Sequence, residues 1–387
     1  MSRGPTFAAL LLAAQAARAA AQVAPPQQRW TNYGSAPGEL AVTWSSSTTT
    51  DLVGYRLAPF ADPPVYTWAK APELASYASP PTSKLPAYTS LIIHRSYLTG
   101  LPLATELEYV VAVDSADPAT FTAPARLFTH PGVGPDVAST LLVLADVAKR
   151  PNVVAALEPR LPGFTAGGII LGDLAYANGD NAVWDDWQKY FDPISSKMPI
   201  CPNAGNHEMT GEPGFVAFKT RFGAAPYLSP TFEDSQNLFY SWEVGAMHII
   251  VLSSFSDYAR GSPQMLFLEQ DLARVNRSVT PWLIVGMHAP WYNANTQHFL
   301  QLENMRVLYE PLLLAARVNV VLVGHVHAFQ RTPLLAADGL VVDGSPGAPA
   351  GILHWMAGMS GKSLYPNWRM YPRQNPATAP NPPTNSP

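Results

Sequence analysis

A chain of 387 residues is long enough to fold as two domains, each with a sizeable core. A formal net charge of −4, with few charged residues, excludes the basic stripe of a nucleic-acid binder. A single cysteine, Cys201, excludes an intrachain disulfide and makes a disulfide-linked dimer unexpected; it closes an apolar run and reads as buried.

In chain order, residues 1–24 have a signal-peptide layout: Arg3, an apolar stretch over 7–14, then an alanine-rich segment with cleavage near Ala19-Ala20-Ala21. That stretch is too short to span a bilayer, and no later segment supplies the roughly 18 uninterrupted apolar residues a membrane helix needs. Secretion is therefore expected, to the cell exterior, wall or vacuole. Residues 25–130 contain runs that alternate in the strand manner, at 40–45, 52–57, 88–94 and 106–113, with helix periodicity absent. Their spacing predicts an antiparallel β-sandwich of fibronectin type III kind. The Pro- and Gly-rich stretch 129–135 reads as a linker, residues 136–370 as the second domain, and 371–387, rich in Pro, Asn and Thr, as a disordered tail.

The second domain carries the chemistry. Short apolar runs at 140–144, 168–171, 198–201, 282–285 and 319–323 suit strands buried on both faces. Each is followed within a few residues by metal-type donors: Asp146; Asp173 with Tyr176; Asn206 with His207; His288; and His325 with His327. Ligands of open α/β sheets gather at the carboxyl ends of strands, so one layer of loops can hold all of these groups. Helices are expected between the runs, with Met265, Leu268, Leu272 and Val275 on one face of the first, and Leu302, Met305, Tyr309, Leu312 and Ala316 on one face of the second. Asn276, in Asn276-Arg277-Ser278, is the one N-glycosylation sequon and falls at a helix end.

Two carboxylates and a phenolate form a hard anionic set suited to a trivalent ion, whereas Asn206, His288 and His325 are neutral donors suited to a divalent one. Asp173 is the natural bridge between the two. Two metals about 3.5–4 Å apart hold the attacking and leaving oxygens of an in-line phosphoryl displacement. The ions outweigh their anionic ligands and a bridging hydroxide, so net positive charge remains to attract phosphate; a carboxylate in place of Asn206 would cancel it. His248, inside an apolar run, reads instead as a satisfied core histidine, and His94, His130 and His354 have no metal-like context.

The motifs Asp173-Leu174-Ala175-Tyr176, Gly205-Asn206-His207-Glu208 and Gly324-His325-Val326-His327, with the dense stretch 280–293, resemble the plant-type large purple acid phosphatases of the calcineurin-like metallophosphoesterases. The resemblance runs from the sandwich to Arg331. It implies a layered α/β metallophosphoesterase domain with a mixed sheet, and hydrolysis of phosphate monoesters at acid pH by a binuclear centre that uses metal-bound hydroxide. It places iron(III) on Asp146, Asp173, Tyr176 and His327, and zinc, manganese or iron(II) on Asp173, Asn206, His288 and His325. His207 is implied as the substrate-facing proton donor and His298 as a further substrate contact, with Gln297 where the plant enzymes often carry another histidine. Tyr176 replaces the Val-Asp-Arg-Gly context of the protein Ser/Thr phosphatases and implies a visible charge-transfer band. Two departures stand out: Ala148 replaces the glycine of an Asp-x-Gly motif, and after Arg331 the likeness fades, so that a closing strand is expected to be missing. The alternatives are a phosphodiesterase or nucleotide pyrophosphatase on the same site, and a non-catalytic cell-wall binding protein with a decayed site.

Overall fold

The computed structural model describes residues 25–211, 214–223, 237–342 and 351–368; the expected signal peptide and Pro-rich tail lie outside these residues. The first ten strands are β1 (Gln27–Tyr33), β2 (Leu40–Ser46), β3 (Leu52–Leu57), β4 (Thr67–Lys70), β5 (Glu73–Ala75), β6 (Ala78–Ser79), β7 (Tyr88–Thr89), β8 (Ile92–Leu98), β9 (Glu106–Ala112) and β10 (Ala125–Phe128). Apart from the small β6–β7 hairpin they form two antiparallel sheets, ordered β1-β2-β8-β5 and β10-β9-β3-β4. Period-two alternation aims Leu40, Val42, Trp44, Leu107, Tyr109 and Val111 between the sheets, as a sandwich requires.

The next strands are β11 (Leu142–Leu144), β12 (Gly168–Leu171), β13 (Ile200–Asn203), β14 (Tyr240–Val244), β15 (Met247–Val251), β16 (Trp282–Gly286), β17 (Val320–Val323), β18 (Phe329–Leu335) and β19 (Ile352–Ala357). They make a parallel sheet, β11-β12-β13, and a mixed sheet, β14-β15-β16-β17-β19-β18. Alternate residues serve different layers. Ile169, Leu171, Cys201, Ile249, Val251 and Leu322 fill the space between the sheets, while Ile170, Ile250, Val285 and Val321 join the larger core beneath the helices. Those helices are α1 (Pro151–Leu157), α2 (Asn181–Ser195), α3 (Val216–Arg221), α4 (Pro263–Arg274) and α5 (Glu303–Ala315). Met265 and Leu268 of α4, and Met305 and Tyr309 of α5, are buried on the expected faces. Among the described residues no helix is long and apolar enough to cross a membrane.

Two expectations need correction. The closing strand is present: β19 inserts between β17 and β18, parallel to the first and antiparallel to the second. Its sequence hides it, because His354 and the partly exposed Trp355 interrupt the apolar run while Ile352 and Met356 are buried. The stretch 129–135 is not a free linker, since Gly132 O accepts from Gly245 N (2.8 Å) and Gly134 N donates to Gly245 O (3.0 Å). The sandwich is further docked by β1, whose Trp30 enters the second domain's core and donates from Nε1 to Ile200 O at 3.0 Å. Arg29 pairs with Asp192 of α2 at 2.7 Å.

Candidate metal centre

The five predicted segments meet at one end of the two sheets. Asp146 follows β11, Asp173 follows β12, Asn206 follows β13, His288 follows β16, and His325 and His327 follow β17. Positive φ at Asp146 (56°), Asp173 (53°), Tyr176 (57°) and His325 (66°) turns the chain sharply where each side chain must point back across the strand ends. Non-glycine residues rarely adopt this conformation, and such strain clusters at functional sites. Two glycines make room: a Cβ on Gly172 would lie 2.4 Å from His288 Nδ1, and one on Gly205 would lie 2.2 Å from Asp173 Oδ1.

On one side, the Tyr176 hydroxyl donates to Asp146 Oδ1 at 3.0 Å and lies 2.9 Å from His327 Nε2, which is 3.5 Å from Asp146 Oδ1. The far nitrogen of His327 is oriented by Ser363 O at 2.8 Å, and its ring stacks on Tyr365 at 4.2 Å. Burial, reinforced by the charges of Asp146 and Asp173, pushes the Tyr176 hydroxyl far above the usual phenol range, so a phenolate there requires a strong local cation. On the other side, Asp173, His288 and His325 present ligand atoms all within 4.8 Å of one another. His288 Nδ1 meets Leu171 O at 2.5 Å, which leaves Nε2 facing Asp173 Oδ2 at 3.3 Å. Burial opposes the charged forms of both, but their mutual attraction prevails, holding Asp173 at about 2 and raising His288 to about 9. Burial, with the charge of His288, drives His325 down to about 2, a neutral donor.

The residues fit a metal pair on a separate ground. Asn206 Oδ1 and His288 Nε2 are buried and lack a hydrogen-bond partner. An orphaned buried polar atom costs about 1–3 kcal/mol, and an ion between them would remove that cost.

His207 packs against Tyr176 with ring centroids 4.3 Å apart, its Nδ1 2.5 Å from Asn178 Oδ1 and its Nε2 3.7 Å from Asp173 Oδ2. His298 sits at the mouth, its ring 3.8 Å from that of His325, and Gln301 Oε1 contacts both, at 2.8 Å from His298 Nδ1 and 2.9 Å from His325 Nε2. Gln297 is exposed, with its backbone carbonyl accepting from Asn293. Sequence reasoning missed three supports. Glu208 accepts from Asp173 N (2.7 Å), Leu174 N (3.0 Å) and Gly205 N (2.8 Å), tying two ligand loops together; its position beside His207 was the available signal. Burial and then the Asp173 charge push Glu208 to about 8. Gln301 and Tyr365 carried no local signal. His248 is buried between Asp271 and Glu243, well away from this cluster.

The calcineurin-like phosphoesterase family model matches residues 140–329, the stretch that contains all seven candidate ligands. The chain is a homologue of the purple acid phosphatases. A purple acid phosphatase of Glycine max is 36% identical over 63% of this chain and 54% of its own length. A phosphoenolpyruvate phosphatase of Allium cepa is 34% identical over 63% of this chain and 51% of its own. The chain therefore aligns with about half the length of these relatives. A purple acid phosphatase from yellow lupin (Lupinus luteus) seeds shares the fold, with a TM-score of 0.77 over 90% of this chain and 67% of its own at 20% identity.

Proposed function

We propose that the chain hydrolyses small-molecule phosphate monoesters at acid pH on a binuclear centre of iron(III) and zinc, manganese or iron(II). Asp173, His288 and His325, with ligand atoms within 4.8 Å of one another, the neighbouring Asp146–Tyr176–His327 group, and the Asn206 Oδ1 buried without a hydrogen-bond partner carry this reading. Asp146, Asp173, Tyr176 and His327 would hold the trivalent ion, and Asp173, Asn206, His288 and His325 the divalent one. When bound, the pair supplies charge neutralisation at phosphorus and an activated water. His207, whose Nδ1 is anchored on Asn178, delivers a proton from Nε2 to the departing alkoxide. Burial lowers its pKa. His298 and the Asn206 amide orient the phosphoryl oxygens.

Residues 25–130 act as the docked scaffold and 136–370 as the catalytic unit. Arg3 and the apolar stretch after it support a secretory leader, and exposed Asn276, just beyond α4, supports a surface glycan. Cys201 is buried, which supports the absence of a disulfide-linked dimer. Metal analysis together with turnover of p-nitrophenyl phosphate and its bis-ester at pH 5 tests the proposal. Two metals per chain and preference for the monoester are expected; a metal-free chain, or one that prefers the diester, overturns it.

A further inference from the structure

The loop after β19 runs beneath the candidate centre and carries a cation that the reading above does not use. The Lys362 ammonium lies over the Tyr176 ring, 4.1 Å from its centroid, and His207 packs against the same ring. Its backbone is seated firmly: Lys362 N donates to Asp146 O at 3.0 Å, and Ser360 Oγ accepts from Ala145 N at 3.1 Å. Arg150 clamps the flanks, donating from Nε to Gly361 O (3.0 Å) and from Nη2 to Ser363 Oγ (3.1 Å). Gly361 is packed so closely that a Cβ there would strike the Val147 carbonyl. The ammonium is thus held in place by a loop with one seat.

No ion pair among the described residues involves Lys362, and the nearby Asp146 and Asp173 carboxylates are taken by the metals in the proposed reading. A half-buried cation beside the candidate centre, in contact with the Tyr176 ring and in no ion pair among the described residues, is matched to an anion on the ligand. An ammonium is a compact point charge that pairs with a carboxylate or a phosphate alike. Arg150, the nearby guanidinium, has donors engaged with the loop.

We propose that Lys362 is a specificity-determining residue that pairs with a second anionic group, a carboxylate or a phosphate, on the leaving portion of the substrate, so that phosphate monoesters bearing one are preferred over neutral alkyl esters. The inference rests on the phosphatase reading for the word substrate, but the contact itself is testable by binding alone. Metal-loaded full-length chain is titrated calorimetrically with propylphosphonate, 3-phosphonopropionate and ethane-1,2-diphosphonate, which do not turn over. Wild type is expected to bind the carboxylate ligand about 10-fold or more tighter than propylphosphonate, the range of a charge-assisted contact. Lys362→Met should bring that ratio close to one, and Lys362→Arg should keep most of it. Equal affinities in wild type, no binding of either ligand, or a loss in Lys362→Met that is proportional for both would overturn the proposal; the diphosphonate, expected to gain alongside the carboxylate ligand, shows which second anion the ammonium prefers. Turnover of phosphoglycolate and ethyl phosphate is measured alongside. Selective binding without hydrolysis of either would sink the phosphatase reading while leaving the Lys362 contact standing.

Discussion

Ala148 holds φ at +48°, a conformation glycine adopts freely and alanine adopts at a cost of about 1–2 kcal/mol. The backbone stays because Ala148 N donates to Leu174 O at 2.9 Å and its carbonyl accepts from Trp187 Nε1 at 3.3 Å, fixing the loop that carries Asp146. Glycine would relieve the strain but enlarge the unfolded ensemble. Ala148→Gly should therefore stabilise the protein by about 0.5–1 kcal/mol in urea melts, and a loss would show that the methyl group packs usefully. Tyr176 tests the proposed trivalent side: Tyr176→Phe should abolish visible charge-transfer absorption without emptying both proposed metal sites, and a surviving band would mean another group supplies it. For His207, the leaving group is the probe. A poor leaving alkoxide needs a proton and nitrophenolate does not, so His207→Ala should slow alkyl phosphate hydrolysis by about 10²–10⁴-fold and nitrophenyl phosphate hydrolysis clearly less. Equal losses at full metal content would leave His207 only a charge-stabilising role.

At the scale of elements, β1 belongs to the sandwich by hydrogen bonding and to the second domain by packing. Trp30 lies against Phe191 and Phe222, with centroids 6.0 and 4.7 Å away, and is 2% exposed. Trp30→Ala should cost about 3–5 kcal/mol and loosen α2 along with the sandwich; a loss below about 1 kcal/mol would show that the two units are energetically separate. This strand also shows where sequence reading stops. Residues 27–33 look polar because Arg29 and Thr31 find partners on α2, at Asp192 and Ser195, a pairing more than 150 positions away in the chain. β19 was hidden for a related reason, its mixed residues being accommodated by β17 and β18 on either side. The candidate ligands were legible because each follows closely on a strongly apolar strand, so the local pattern and the chemical group sit together. Glu208, Gln301 and Lys362 were not, since what they do depends on loops brought together only by the fold.

For the whole molecule, one contribution to stability against pH comes from a histidine remote from the candidate metal centre. His248 of β15 stands opposite Glu243 of β14, with Nδ1 3.2 Å from Glu243 Oε1 and Nε2 2.8 Å from Asp271 Oδ2. Asp271 also accepts from Ser241 Oγ (2.8 Å) and Arg274 (2.9 Å), so its carboxylate is fully engaged. Burial opposes the imidazolium, but the two carboxylates outweigh it and raise its pKa to about 9. The folded state therefore keeps this proton to higher pH than the unfolded chain, which releases it near 6.5. The contribution, about 3 kcal/mol at most, is fully present below pH 6.5 and is lost as pH rises through about 9. It favours the fold under the acid conditions at which the proposed hydrolysis would run. His248→Gln removes the titrating group and leaves the sheet register intact. The melting-temperature gap between wild type and this variant should be largest at pH 5–6 and narrow steadily toward pH 9.5. A gap that is constant across that range would mean that His248 contributes by packing alone, with its charge playing no part in holding the two strands to α4.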